Sequence, residues 1–350
     1  YFYHEGQRHR ISQVVLPPDQ REGLFDQAVL CEQCGYVLDA EPKPDKCDHC
    51  DSDLSEGRGK VVTKLLEMST SRGRPDSRIT SNEEDRQRLR YYLSTGYQFI
   101  RGADGQFMTE FAEVVCDDER LLEMVHAPQA WLWRINRGPR RKKDQNGFTL
   151  DLDSGSWLSS SSTKTPSKGE DEDDEEDIAS DNREDQVFPY VRDTRNLLLV
   201  KPVAGRKPGT LEDEAFLKTL AYALGRALQV EYQVEEREIE VELVGKGDEQ
   251  KILFWEAAEG GIGLWPRLLE DPKALAKVAR TALEILHFNP DTGKDCSEGP
   301  DRCVRACYAC LLSYTNQPHH RHLNRHLVRD FLMQLARSTT LRLTSRTSYD

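Results

Sequence analysis

Two groups of four cysteines constrain this chain more than any other feature of its 350 residues. The first group pairs Cys31 with Cys34 and Cys47 with Cys50. Each Cys-x2-Cys pair forms a knuckle that directs two thiolates at one centre, so two knuckles supply a closed tetrahedral site for zinc. Because a closed site leaves no position for water, we predict a structural Zn²⁺ here. Redox-active or unrelated cysteines are the alternative.

The second group lies near the C-terminus and has a less regular spacing. It comprises Cys296, Cys303, Cys307 and Cys310. We predict a second structural Zn²⁺, with an iron–sulfur cluster as the alternative because such clusters also use four cysteines. Histidines that follow could replace one thiolate, although surface or capping roles are the simpler interpretation; they are His319, His320, His322 and His326.

The net charge of −13 argues against nucleic-acid binding only at first sight. One run, from Glu170 to Asp177, is entirely acidic and follows a serine-rich stretch. Such a segment buries too little apolar surface to offset its ordering entropy, so we predict a disordered acidic linker over 159–186. Acids and bases are nearly balanced in the rest of the chain, where local basic patches can act.

A basic and aromatic segment lies before this linker. Arginine and lysine neutralise phosphates, and aromatic faces stack on unpaired bases. We therefore predict weak DNA binding without sequence preference, the alternative being a basic surface with both tryptophans in the core. The residues concerned are Trp131, Trp133, Arg134, Arg137, Arg140, Arg141, Lys142 and Lys143.

Hydrophobic periodicity predicts an α+β or α/β fold, in which a zinc-ribbon lobe accompanies a mixed β-sheet flanked by helices. Alternation predicts a half-buried strand over 238–243, and a continuous apolar run predicts a central strand over 251–258. We also expect a short helix over 118–126 and a final helix over 322–335. The predicted parts are a peripheral zinc ribbon in 1–58, a mixed part with the basic segment in 59–158, the linker in 159–186, and a core with the second zinc site in 187–350.

No membrane segment is apparent in the sequence. A spanning helix needs about 20 consecutive apolar residues, and no stretch approaches that length. The N-terminus also lacks the apolar region of a secretory signal. We therefore expect a cytoplasmic protein without a membrane partner.

Several sequence elements resemble the MrfA-type zinc-binding (MZB) module of bacterial superfamily 2 DEAD/DEAH helicases. The most specific are LFWEAAEGGIGL and CVRACYACLLSYTNQPHHRHLNRHLV; CEQCGYVLDAEPKPDKCDHC, RITSNEEDRQRLR and APQAWLWRINRGPRRKK add to them. Some of these helicases act in repair, and others in anti-phage defence of the DISARM and Druantia kind. The resemblance implies that the four cysteines of the second group hold one zinc, and that ATPase lobes lie in cis or on a partner chain.

The chain itself carries no G-x-x-x-x-G-K-[ST] loop, which a helicase needs to hold the phosphates of ATP. We therefore predict a non-catalytic accessory module that braces helicase lobes and contacts DNA. One alternative is a metal-dependent nuclease that uses Glu256 and Glu259 with Glu238 or Glu240. The other is a protein-assembly scaffold without DNA contact.

Overall fold

The computed structural model describes most of the chain. The acidic run and the basic residues Arg140, Arg141, Lys142 and Lys143 lie outside the described residues. The described residues are 2–4, 7–16, 23–55, 59–68, 70–78, 91–139, 146–158, 182–258, 260–297, 299, 302–313 and 315–343.

Most of the described chain is β-structure. Twelve of the described strands, β3–β5 and β7–β15, form one branched sheet, and the other three form a small antiparallel sheet in the order β1-β2-β6. The strands are β1 (Phe2–His4), β2 (Gln7–Val14), β3 (Asp26–Cys31), β4 (Val37–Asp39), β5 (Gly59–Glu67), β6 (Ser71–Arg78), β7 (Tyr91–Phe99), β8 (Glu110–Cys116), β9 (Glu119–Pro139), β10 (Phe148–Asp151), β11 (Trp157–Leu158), β12 (Arg183–Pro202), β13 (Ile239–Val244), β14 (Lys251–Glu256) and β15 (Thr339–Leu343).

Four α-helices lie in the C-terminal half of the described chain. The longest begins where Thr210 Oγ1 accepts a hydrogen bond from the backbone N of Asp213 at 3.1 Å, an N-cap that satisfies one free donor of the first turn. The predicted final helix is α-helical only in its last turns, after two short 3₁₀ segments. The helices are α1 (Leu211–Tyr232), α2 (Leu264–Glu270), α3 (Ala274–Ile285) and α4 (Arg329–Leu335).

Two long strands, β9 and β12, organise the sheet. They pair antiparallel with each other, while β12 also pairs in parallel with β5, so the sheet is mixed as predicted. The prediction of a helix over 118–126 was wrong, because this segment forms the start of β9. There Leu122 and Met124 face the helices, the period of two that suits a strand.

Alternate residues of the central strands face two different cores. On β12, Leu198 and Val200 pack with the helices, whereas Leu197 and Leu199 pack with the cysteines of the first group. Strand β14 is buried along its whole length, as the continuous apolar run predicted. One sheet therefore separates a helical core from a second core that contains the first cysteine group.

The first cysteine group is an integral part of this sheet. Strand β3, which ends at Cys31, pairs with β5, and β5 pairs with the central strand β12. The ribbon that we predicted as a peripheral lobe thus shares its hydrogen bonding and its core with the rest of the chain. The combination of mixed sheet, flanking helices and two cysteine-rich groups confirms the predicted fold class.

Candidate metal centres and their surroundings

The first metal centre consists of Cys31, Cys34, Cys47 and Cys50, whose sulfurs all lie within 4.8 Å of one another. Each knuckle is closed by a backbone hydrogen bond. Gly35 N donates to Cys31 O at 2.8 Å, and Asp51 N donates to Cys47 O at 2.9 Å. Gly35 has a φ of +80°, which favours glycine. The four residues predicted from spacing alone are therefore brought together.

The donor set of the first metal centre fits Zn²⁺. With Zn–S bonds of about 2.3 Å, tetrahedral thiolates lie roughly 3.8 Å apart. The observed separations are 3.7 Å between Cys31 and Cys50 and 3.6 Å between Cys34 and Cys47. Four cysteine sulfurs at these separations match the donor set of a closed structural zinc site.

His49, inside the second knuckle, attaches the first metal centre to the sheet. Its ring stacks on Tyr36 at 5.7 Å and meets Tyr97 edge-on at the same distance. Lys251 of β14 donates from Nζ to His49 Nε2 at 2.9 Å, and it also pairs with Glu249 at 3.1 Å. His49 therefore ties the second knuckle to β14, the strand that is buried along its whole length.

The second metal centre consists of His287, Cys303, Cys307 and Cys310, whose ligand atoms also lie within 4.8 Å of one another. Cys303 and Cys310 are 3.8 Å apart, and Cys307 and Cys310 are 3.5 Å apart. His287 Nε2 lies 3.3 Å from Cys307 Sγ. Three thiolates and one imidazole are a common structural zinc set, so these residues also fit the metal.

This arrangement corrects one predicted ligand. Cys296 is exposed, and its sulfur contacts the carbonyl of Lys294 at 3.5 Å instead of joining the other three cysteines. His287 takes its place because it follows α3, at the point where the chain turns towards the cysteine loop. Burial opposes ionisation of Cys307, yet hydrogen bonds from His287 and Cys310 lower its pKa to about 7.

The later histidines do not join the second metal centre. His320 Nε2 lies 2.8 Å from Asn316 Oδ1 and 2.9 Å from Ser313 O, and His326 Nε2 lies 3.1 Å from Val304 O. These contacts fix the loops around the centre. The simpler interpretation of these histidines, as capping or surface groups, agrees with the geometry.

The identity of the fourth ligand can be tested by substitution. We expect Cys296→Ser to keep about two zinc ions per chain, whereas His287→Ala keeps about one, since only the second removes a donor of a closed four-ligand set. Elemental analysis of the two purified variants measures this. Loss of zinc from the Cys296 variant alone would show that the loop closes on the cysteine instead.

Arg325 supports the loop that carries Cys303 of the second metal centre. Its side chain is fully buried and lies over the ring of Phe288, 4.6 Å from its centroid. It donates to Cys303 O from Nε at 3.0 Å and from Nη2 at 2.7 Å, and to Leu286 O from Nη1 at 3.0 Å. It also pairs with Asp295. No local sequence pattern indicates this role, because the contacts join segments that are up to 39 residues apart.

Glu256, at the end of β14, holds the glycine-rich loop that follows it. The side chain is fully buried. Its Oε2 accepts from Asn196 Nδ2 at 2.8 Å and from Ile262 N at 2.7 Å, and its Oε1 accepts from Leu264 N at 3.0 Å. A Cβ at Gly261, whose φ is +72°, would collide with Oε2. Both carboxylate oxygens are thus engaged in fixing the loop.

This geometry does not support the nuclease alternative. A metal-dependent nuclease needs carboxylate oxygens that are free to bind a cation, and those of Glu256 accept three hydrogen bonds. Glu240 pairs with Arg134 at 3.6 Å, and Glu238 accepts from Glu235 N at 2.8 Å. Glu259 lies outside the described residues.

A substitution separates the loop anchor from a catalytic group. We expect Glu256→Ala to lower the free energy of unfolding by roughly 3 kcal/mol, because it leaves buried donors of Asn196 and the loop without acceptors. Glu236→Ala, at an exposed position, is the control and is expected to change stability little. Urea melts give the comparison, and cleavage of DNA that requires Mg²⁺ and disappears in the Glu256 variant would restore the nuclease alternative.

The structure places the residues of the predicted DNA-contacting segment in different surroundings. Trp133 is 5% exposed and stacks on Tyr190 at 5.1 Å, so it belongs to the core and cannot stack on a base, which corrects that part of the prediction. Trp131 is half-buried, and Arg192 lies over its ring at 4.6 Å. Arg134 faces Glu240, whereas Arg137 lines a cleft.

One family model agrees with the zinc chemistry. Residues 220–311 match the family model described as the MrfA Zn-binding domain. The chain is also similar to a crystal structure of the DUF1998 helicase MrfA bound to DNA, with 10% sequence identity and a TM-score of 0.35. That alignment covers 71% of this chain and 26% of the helicase chain, so the chain spans about a quarter of the length of that protein. No curated protein matches the chain.

Among the described residues, no helix is both long and apolar enough to cross a bilayer.

Proposed function

Because residues 220–311 carry an MrfA-type zinc-binding module, we propose that this chain is a non-catalytic, zinc-stabilised accessory part of a bacterial DNA helicase. Its role is to brace the ATPase lobes, in cis or on a partner chain, and to contact the DNA that they move. Repair and anti-phage defence are the settings in which such helicases act. The helicase context comes from the resemblance of the glycine-rich loop and the C-terminal cysteine run.

One observation carries this proposal: two groups of four side chains that could each hold a metal ion lie in the cores on opposite faces of the same sheet. Cys303 and Cys310 belong to the helical core, and Cys31 and Cys34 belong to the core on the other face. A four-ligand zinc site has no open position for a reacting water, so its contribution is to stability. Metal binding at both faces makes the sheet a rigid support for neighbouring domains.

DNA contact is proposed for the basic residues of the segment 131–143. Arg137 lies near the end of β9, and four further cations follow in the sequence at 140–143. Such residues bind the phosphate backbone through charge and are indifferent to base sequence. Trp133 is left out of this surface because it is buried.

The test is a fluorescence-anisotropy titration of the full chain with labelled single-stranded oligothymidylate over a range of salt concentrations. We expect weak binding whose log–log salt dependence has a slope of roughly −0.7 per phosphate contacted. The double variant Arg140→Ala and Arg141→Ala is expected to reduce the magnitude of that slope by about one to two units.

Each outcome of this titration selects one function. Absence of DNA binding at low salt would favour the assembly scaffold over the DNA-contacting module. If the double variant binds DNA as tightly as the unaltered chain, the DNA contact lies outside 140–143. Zinc-loaded protein that retains its fold but neither binds DNA nor associates with helicase lobes would contradict the proposal.

A further inference from the structure

A cleft of about 550 Å³ lies beside the first metal centre, within the roughly 300–1,000 Å³ typical of ligand sites. Its walls come from β3, β5, β7, the end of β9 and the turn after β13. We call it the Arg137 cleft. The charged residues that line it are Glu32, Lys60, Arg137, Glu242 and Lys246.

Arg137 holds an incompletely compensated charge at this cleft. Its Nε donates to Ser94 Oγ at 3.0 Å, and its guanidinium lies 5.4 Å from the ring centroid of Phe188. Its Nη1 is enclosed and has no hydrogen-bond partner among the described residues. Burial lowers the pKa of Arg137, although arginine keeps its proton at neutral pH. A partly desolvated cation of this kind is stabilised by an anion in the cleft.

The two lysines of the cleft differ in whether an internal carboxylate already pairs with them. Lys60 is exposed and makes no ion pair within the described part of the chain. Lys246 pairs with Glu32, with 3.0 Å between Nζ and Oε2. An anion at Lys60 therefore competes with no internal carboxylate, whereas one at Lys246 competes with Glu32.

The acidic residues of the cleft do not cancel its positive charge. Burial raises the pKa of Glu242, and its carboxylate accepts a hydrogen bond from Thr95 Oγ1 at 2.6 Å. The cleft is lined by two carboxylates, Glu32 and Glu242, and by three cations, Lys60, Lys246 and Arg137. The cleft is thus net basic, and the Ser94 hydroxyl lies beside the guanidinium.

We propose that the Arg137 cleft binds a backbone phosphodiester of single-stranded DNA, with Arg137 and Lys60 as its cationic contacts. This inference rests on the proposed function and names the site at which DNA is held. The cleft is open to solvent, which lets a polymer enter and leave, and guanidinium and ammonium groups are the usual phosphate ligands. The contact places DNA next to the first metal centre, whose knuckle supplies Glu32 to the cleft wall.

Substitutions of opposite sign test this site. We expect Lys60→Gln to weaken oligothymidylate binding several-fold and to reduce the salt slope by roughly 0.7, the value for one phosphate on a single strand. Glu32→Gln removes an anion and frees Lys246, so we expect tighter binding. The control is Lys277→Gln, which removes an exposed cation of α3 that pairs with Asp271.

Anisotropy titrations with labelled oligothymidylate, repeated with inorganic phosphate as competitor, measure these effects. Competition by millimolar phosphate that is lost in the Lys60 variant would support a phosphate contact at the cleft. If the unaltered chain binds DNA but both cleft variants match the Lys277 control, the cleft is excluded and DNA contact lies elsewhere. If the unaltered chain does not bind DNA, the proposed function fails first.

Discussion

Replacing the buried Arg325 with Met is expected to lower the free energy of unfolding by about 3–5 kcal/mol and to release zinc from the second metal centre. The guanidinium satisfies the carbonyls of Cys303 and Leu286 and the carboxylate of Asp295. Without it, the carbonyls of Cys303 and Leu286 lose their buried donor, and the loop that presents Cys303 loses its support. Urea melts and zinc analysis of the purified variant measure both effects.

The matched control is Arg329→Met on α4. Arg329 is 42% exposed and pairs only with the adjacent Asp330 among the described residues, so its loss is expected to change stability by less than about 1 kcal/mol. Equal stability losses in the two variants, or an Arg325 variant that keeps both zinc ions, would show that this arginine does not brace the metal loop.

Replacing Cys34 with Ser is expected to destabilise the chain by at least about 3 kcal/mol, as much as Cys307→Ser. The position of the second group between two amphipathic helices predicted a larger folding defect for Cys307→Ser than for Cys34→Ser, with the first group in a peripheral lobe. The structure places Cys34, fully buried, in a core with Leu253 and Trp255 of β14. Metal that binds only the folded state contributes its binding free energy to folding, so each site supports the sheet from its own side.

Cys116→Ser provides the control, because Cys116 lies in neither metal centre. Thermal melts of the three variants, each with its zinc content, decide the comparison. A much smaller loss for Cys34 than for Cys307 would restore the peripheral lobe and contradict a sheet held on both faces.

Local sequence patterns predicted the parts of this molecule that depend on local geometry. The first metal centre follows from two Cys-x2-Cys knuckles, since each knuckle is built by residues close in sequence. Strand β14 and the cap at Thr210 were likewise predictable from apolar patterning and capping chemistry. These features require no knowledge of the tertiary fold.

The predictions that failed concern residues whose environment is set by segments far away in the sequence. His287 replaces Cys296 because the turn after α3 brings an imidazole to the cysteine loop, which spacing cannot reveal. Trp133 was expected at a DNA surface, yet its partner Tyr190 comes from β12, 57 positions later in the chain. The early part of β9 was predicted as a helix. It is a strand because its pairing with β12 outweighs local propensity.

The zinc-to-protein ratio of the purified full chain tests the central claim most directly. The account predicts about two zinc ions per chain, one from each four-ligand centre, and about one in either Cys34→Ser or Cys307→Ser. A ratio near one in the unaltered chain would contradict a sheet braced on both faces. Iron in place of zinc would contradict the assignment of the metal.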